Sequence, residues 1–151
     1  RALHSFLQCL ERSTNDDMLA ATTDWLYTTY RRLGMDDEAE RVLEPIGKEM
    51  EILENHAYHR RLLMYKGLLE PDELLDIDGG ATEDASLQLA TQGYGVGNWY
   101  LYNGEPERAR EIFERIVAAG NWPAFGTIAA EAELRRLGTQ RRGDADGGES
   151  R

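Results

Sequence analysis

The sequence predicts an all-α fold in which helical hairpins repeat along the chain as an α-solenoid. Apolar residues recur at the helical spacings of three and four, and no stretch alternates apolar and polar residues as a half-buried strand would. The chain also repeats itself, since Tyr30, Tyr65 and Tyr100 follow one another at intervals of 35 residues. A period of this length, made of a helix, a short turn and a second helix, is typical of an α-solenoid.

Length and charge limit the classes of function. The 151 residues suffice for one domain with its own core. With 28 acidic and 17 basic residues the net charge is -11, which argues against partners that are nucleic acids or anionic membrane surfaces. No apolar run approaches the roughly 20 residues that span a bilayer, so we expect no membrane insertion. The single cysteine, Cys9, excludes an internal disulfide, and its place on an apolar stripe predicts a buried, inert thiol.

The first helix predicted, within residues 2–12, has the pattern of the second helix of a truncated repeat. Its apolar stripe consists of Leu3, Phe6, Leu7 and Leu10. Because no polar cap covers its upstream side, we expect this apolar face to be exposed. The chain begins with Arg1 and shows no signal peptide, so we expect a fragment or a processed product, and the sequence assigns it no compartment.

Two hairpins follow in the next part of the chain. The first has a helix that includes Tyr30, a turn at Gly34 and a second helix that includes Ala39. The middle hairpin is degenerate, since Leu69 stands where the turn glycine is expected and Arg61 where a core aliphatic residue is expected. Its second helix begins at Pro71, Leu74 holds the register of Ala39, and the helix ends early, at the turn 78–80.

The best copy of the repeat covers residues 96–117. Its second helix begins at Pro106, where the missing amide hydrogen costs nothing. Glycine inside a helix is unfavourable, so Gly93, Gly95 and Gly97 predict a place where two helices pack closely. Leu134 belongs to a final half copy, and the apolar pattern ends at residue 138. We therefore expect about seven helices in one domain, residues 1–138, and a disordered polar tail, residues 139–151.

The pattern of small and large residues in this copy resembles the tetratricopeptide repeat. The matching positions are Gly97, Tyr100, Gly104, Ala109 and Phe113. The resemblance implies a right-handed solenoid of antiparallel helix pairs whose first helices line a concave groove. It also implies a non-catalytic scaffold that binds a protein or a peptide in that groove.

The resemblance assigns groove positions residue by residue. In the best copy they are Tyr94, Asn98 and Tyr102, and an asparagine at the Asn98 position often binds a peptide backbone in this family. The corresponding positions of the earlier copies are Asp24, Thr28, Arg32, His59, Leu63 and Lys66, with Arg31 beside them. The three cations favour a partner with carboxylates, either an acidic segment or a free C-terminus. The predicted peptide-binding residues are thus Tyr94, Asn98, Tyr102, Arg31, Arg32 and Lys66.

Two other functions remain open. The runner-up is a self-association module in which exposed end helices stack against another copy of the chain. The third is an enzyme built on a helical frame, with His56 and His59 one turn apart on a helix as metal ligands. No complete phosphate loop, calcium loop or nucleophile motif is found, so we predict no cofactor, no metal, no catalytic residue and no enzyme activity.

Overall fold

A computed structural model describes residues 1–77 and 83–146, with side chains through residue 139. Within these residues all regular structure is helical and no strand forms, which confirms the all-α class. The chain divides into two compact units, Arg1–Asp76 and Ile77–Arg151, where the sequence analysis expected a single domain over residues 1–138.

The first unit contains five helices. Helix α2 is central and packs against α1, α3 and α4, while α5 packs against α4. Its start is capped by Asn15, whose side-chain oxygen accepts a hydrogen bond from the Met18 amide at 2.8 Å. The helices are α1 (Ala2–Glu11), α2 (Asp16–Arg32), α3 (Asp36–Val42), α4 (His56–Tyr65) and α5 (Pro71–Leu75).

The second unit is built from one interrupted and two regular helices. Its elements are α6 (Glu83–Gln88), a π-helical turn (Leu89–Gly93), α7 (Tyr94–Tyr102), α8 (Pro106–Ala118) and α9 (Phe125–Asp146). Helix α8 packs against both α7 and α9. Because α6, the π-helical turn and α7 follow without a break, they count as one helix, and the described residues form eight helices rather than about seven.

The C-terminal boundary differs from the expectation. Helix α9 continues to Asp146, although the sequence analysis placed the end of regular structure at residue 138. The backbone of residues 139–146 is therefore helical. The rest of the expected tail, residues 147–151, and the expected turn at 78–80 lie outside the described residues.

Four of the described helices end at a glycine with positive φ. At three of them the glycine amide and the next amide donate back to carbonyls of the last turn, for example Gly34 N to Arg31 O at 3.2 Å and Met35 N to Tyr30 O at 3.0 Å. The same pair of bonds forms at Gly67 and at Gly104. The middle hairpin thus has its turn glycine at Gly67, two residues before the expected position 69.

Burial at equivalent positions supports the 35-residue repeat. Ala39, Leu74 and Ala109 are separated by 35 residues and have no solvent exposure in the folded chain. Each lies on the second helix of a hairpin, where a buried small or apolar residue lets the two helices approach. The sequence period therefore corresponds to three hairpins of similar local packing.

Successive first helices lie side by side within each unit. In the first unit, Asp24 of α2 contacts Arg61 of α4, 37 residues later. In the second unit, Ser86 of α6 contacts Asn121, which precedes α9 by four residues and follows Ser86 by 35. Each of these two contacts thus joins residues about one sequence period apart.

Close packing occurs at Gly93 and Gly97, two of the three glycines at which it was predicted. A Cβ atom on Gly97 would lie 2.3 Å from the Phe113 ring, and one on Gly93 would lie 3.2 Å from Ile116. The tightest approach was not predicted: a Cβ atom on Gly126 would lie 2.0 Å from the Ala90 carbonyl oxygen. Helix α9 therefore crosses the π-helical turn with backbone against backbone.

Two expectations about α1 are wrong. Cys9 is exposed rather than buried, because it lies on the side of α1 that faces away from α2. The apolar face of α1 is largely covered, since Leu3, Phe6 and Leu10 pack against the core of the first unit and Phe6 stacks on Trp25. The other member of the stripe, Leu7, is exposed.

Candidate functional site

Two of the cations predicted to bind a carboxylate have partners within the chain. The Arg31 guanidinium donates to the Tyr27 hydroxyl at 3.1 Å and forms an ion pair with Asp36 at 3.0 Å. The Lys66 ammonium donates to the carbonyl oxygens of Glu44 at 3.3 Å and Ile46 at 2.5 Å. These two side chains hold the loops that follow α2 and α3, so they do not present open cationic sites. Arg32, the last residue of α2, is exposed.

The three predicted contacts of α7 do not form an exposed polar row. Asn98 is only 1% exposed, so its side chain is not available to a bound peptide backbone. Tyr94 and Tyr102 are half-buried, and the Tyr94 ring lies between Phe113 and Phe125, with centroids 6.0 and 6.2 Å away. The placement of Asn98 in an open groove is therefore wrong, because α7 packs with its polar residue turned into the core of its unit.

The equivalent positions of the earlier repeats are buried as well. Asp24, Thr28, His59 and Leu63 all have less than a tenth of their surface exposed. The Thr28 hydroxyl donates to the Asp24 carbonyl oxygen at 3.1 Å, and the His59 Nε2 lies 2.8 Å from the Gly47 carbonyl oxygen. The structure thus uses the predicted groove positions for internal packing.

A buried ion pair joins α2 to α4. The Arg61 guanidinium donates to the Asp24 carboxylate at 2.7 Å, and both side chains are almost fully removed from solvent. Burial raises the pKa of Asp24 to about 6, against the lowering effect of Arg61, so the carboxylate is ionised at neutral pH. Burial disfavours the Arg61 cation, but Asp24 and two tyrosines raise the pKa of Arg61 above its ordinary value.

Aromatic rings surround the Arg61 cation. Its guanidinium carbon lies 5.4 Å from the centroid of the Tyr58 ring, and its Nε donates to the Tyr65 hydroxyl at 3.3 Å. Tyr65 in turn stacks on Tyr27, with ring centroids 4.2 Å apart. These contacts supply the partners that a buried cation requires, which makes the cluster a structural element of the first unit.

A second polar anchor lies at the start of α2. The Asp17 carboxylate accepts hydrogen bonds from the backbone amides of Leu53, Glu54 and Asn55, at 2.9 to 3.1 Å. Its other oxygen accepts from the Asn55 side chain at 2.6 Å. These bonds lower the pKa of Asp17 to about 2. The loop before α4 is thereby fixed to the first turn of α2.

The most exposed aromatic and aliphatic side chains of the second unit form an apolar surface at the start of α9. We call Trp122, Phe125 and Ile128 the Trp122 surface. Their exposed fractions are 74%, 60% and 56%; Phe125 and Ile128 lie one turn apart on α9, and Trp122 lies in the turn before this helix. Large apolar side chains that remain exposed together are typical of interaction surfaces. The spacing of these residues is visible in the sequence. Apolar residues at similar spacings are buried on α8, however, so the spacing alone does not predict exposure.

The Trp122 surface rests on a rigid base. Directly below it, Gly126 brings α9 into backbone contact with Ala90. The Asn121 side chain donates to the Ser86 hydroxyl at 3.1 Å and to the Glu83 carbonyl oxygen at 3.4 Å. Phe125 meets the Tyr94 ring edge-on. Of the predicted binding residues, Tyr94 is therefore the one that the structure brings to this surface.

Acidic side chains border one end of the Trp122 surface. Glu83 and Asp84 are exposed at the first turn of α6, beside Asn121. Among the described residues neither has an ion-pair partner. Farther along α9, two arginines with described side chains are paired, Arg135 with Glu131 at 3.3 Å and Arg136 with Glu133 at 3.0 Å. The negative charge beside Trp122 is thus not neutralised within the described part of the chain.

The two histidines proposed as metal ligands differ in their surroundings. His56 is exposed at the start of α4, whereas His59 is buried against Gly47. No group of three or more His, Cys, Asp or Glu side chains with metal-binding geometry occurs within residues 1–77 and 83–139. Among the helices that the structure describes, none combines the length and apolar character that crossing a bilayer requires.

The candidate site is therefore the Trp122 surface with its acidic border, in the second unit alone. The sequence predicted a helix that includes Leu134, but the predicted binding residues lie on α2, on α7 and at Lys66. No family model, curated protein or solved structure matches this chain.

Proposed function

We propose that this chain is a tetratricopeptide-like helical-repeat scaffold that binds a protein or peptide, without catalysis. The observation that carries the proposal is the Trp122 surface, three large apolar side chains exposed at the start of a closely packed helix. Tryptophan dominates many protein interfaces because it buries a large area with little loss of conformational freedom. The repeat of helical hairpins supports the scaffold role, since stacked hairpins present extended surfaces.

The proposal places binding on α9 instead of on the predicted concave groove. Asn98 and the equivalent residues of the earlier repeats are buried, and Arg31 and Lys66 have internal partners. A partner that required those side chains would have to displace them from the core. The Trp122 surface requires no such rearrangement.

A peptide array tests this function. We expect a selective set of peptides to bind the wild-type chain, and we expect Trp122→Ser with Ile128→Ser to abolish that binding. Leu53→Ser is the matched control, because Leu53 is 78% exposed and lies in the first unit, so its removal should leave binding unchanged. Absence of selective binding, or equal binding by all three proteins, would contradict the proposal.

Self-association is the second candidate, because a second copy of the chain could cover the same apolar residues. It predicts that the mass measured by light scattering rises with concentration and that Trp122→Ser with Ile128→Ser keeps the chain monomeric. A wild-type mass equal to one chain at all concentrations would exclude it. The predicted stacking of α1 is less favoured, since α1 already covers most of its apolar face within the first unit.

A further inference from the structure

We propose that the Trp122 surface binds a segment of a partner protein that is apolar along one side and carries lysine or arginine beside it. This inference rests on the proposed function and specifies the chemistry of the partner. It differs from the sequence-based expectation, which favoured an acidic partner.

The first step is the shape of the surface. Phe125 and Ile128 lie one turn apart at the start of α9, and Trp122 lies in the turn that leads into this helix. An apolar stripe of about two helical turns on the partner would cover them. Such a stripe places two or three large side chains against the surface, which is the usual size of the central cluster of an interface.

The second step is the charge at the border. Glu83 and Asp84 lie beside Asn121, which directly precedes Trp122, and among the described residues they have no ion-pair partner. A cation of the partner placed beside Asn121 would lie near two acidic residues and an exposed tryptophan. An acidic residue at the same place would meet like charges.

The third step is the far end of the surface. Arg135 and Arg136 could have attracted an acidic partner, but their charges are paired with Glu131 and Glu133. The unpaired charge that borders the apolar surface is therefore negative at one end and largely neutralised at the other. The net charge of the whole chain, -11, adds long-range attraction for a cationic segment.

Two synthetic peptides of equal length test the inference. Both have leucines at the same helical spacing, and their polar positions are lysine in one and glutamate in the other. Titration calorimetry measures the affinity of each for the wild-type chain. We expect the lysine peptide to bind about tenfold or more tightly than the glutamate peptide, and Trp122→Ser to weaken its binding by about tenfold.

A charge variant with a matched control isolates the border. Glu83→Gln with Asp84→Asn should reduce the preference for lysine several-fold. Glu111→Gln with Glu114→Gln removes the same charge from exposed positions on α8 and should leave the preference unchanged. If both double variants reduce the preference equally, net charge alone explains it, and the inference fails. Circular dichroism of each variant confirms that its helices remain.

The outcomes separate this inference from the function on which it rests. Equal binding of both peptides, abolished by Trp122→Ser, would retain the binding function and overturn the cationic partner. Binding of neither peptide would overturn the inference, while the peptide array would still decide the function. A mass that rises with concentration and depends on Trp122 would identify a second copy as the occupant, which also overturns the inference.

Discussion

At the scale of single residues, the most unusual feature is the ion pair between Asp24 and Arg61. Both side chains are buried, so folding removes two charges from water, and their mutual attraction offsets that cost only because the geometry is good. The tyrosines around Arg61 add hydrogen bonding and ring contacts. The pair thus links α2 to α4 specifically, and we expect its net contribution to stability to be small.

The two charges should therefore behave differently when removed singly and together. We expect Arg61→Met to lower the free energy of unfolding by about 3 to 5 kcal/mol, since it leaves the Asp24 carboxylate buried without its cation. We expect Asp24→Leu with Arg61→Met to be close to wild type, or more stable by about 1 to 4 kcal/mol. Urea unfolding followed by circular dichroism measures both.

The comparison of the two variants is the decisive result. If the double variant is as unstable as Arg61→Met, the pair stabilises the fold in its own right and this account of its energetics is wrong. Arg41→Met is the control for loss of an exposed arginine: it breaks an ion pair with Glu38 on the surface and should change stability by less than about 1 kcal/mol.

The sequence indicated only one member of this ion pair. Arg61 stands at a position of the repeat where an aliphatic residue is expected, which marks it as a charge in the core. Its partner Asp24 was assigned to an open groove, because nothing in a single sequence distinguishes a buried carboxylate from an exposed one. The missing information is the offset of 37 residues between them, which stacking of α2 on α4 determines.

At the scale of helices, the positions of turns and helix starts were predicted better than the closeness of helix packing. The turns at Gly34 and Gly104 follow from their glycines, and Pro71 and Pro106 begin helices as expected. In the middle hairpin α4 ends two residues early, at Gly67, because helix ends respond to the nearest residue that adopts positive φ and not to the period.

The close approach of α9 to the π-helical turn leads to a prediction about two glycines of α9, Gly126 and Gly138. We expect Gly126→Ala to lower the free energy of unfolding by about 1 to 3 kcal/mol, because its Cβ would overlap the Ala90 carbonyl, and backbone atoms cannot rotate away. Gly138→Ala is the matched control on α9. Nothing lies within 4 Å of its Cβ position, so alanine there should stabilise the helix by about 0.5 to 1 kcal/mol.

Denaturant unfolding of the two variants tests the crossing of the helices directly. Opposite signs for the two changes are the expected result. If Gly126→Ala is as stable as Gly138→Ala, α9 does not lie against Ala90 as described. Peptide binding by Gly126→Ala should also weaken, since the Trp122 surface would shift with the start of α9.

At the scale of the whole chain, the sequence predicted the helical class and the hairpin repeat but not the division into two units. Equivalent positions such as Ala39 and Ala109 are both buried, because each lies where the two helices of a hairpin pack against each other. The division, the π-helical turn and the crossing at Gly126 depend on how particular hairpins pack. The period is the same at every hairpin and contains no information about such differences. The same limit applies to the candidate site: the sequence predicted its helix but did not predict that its apolar side chains are exposed.

Charge distribution over the whole chain determines how stability depends on pH. Burial raises the pKa of Asp24 to about 6, above the ordinary 3.8, so the folded chain takes up this proton at higher pH than the unfolded chain. The contribution of Asp24 to stability therefore increases as pH falls from about 6 to about 4. As pH falls towards the pI of about 4.7, the magnitude of the net negative charge decreases from 11 towards zero, which reduces repulsion within the folded state.

Below that range the opposite effect takes over. The hydrogen bonds to Asp17 lower its pKa to about 2, so its contribution is complete above about 4 and is lost as pH falls towards 2. We therefore expect the free energy of unfolding to be largest between about pH 4 and 6, as measured by urea unfolding at low protein concentration. Asp24→Asn should flatten the rise on the neutral side, and Asp17→Asn should flatten the fall on the acid side. A free energy of unfolding that decreases steadily from about pH 7 to about pH 5 would contradict this balance, and would mean that the ionised form of the Asp24–Arg61 pair is the more stable one throughout.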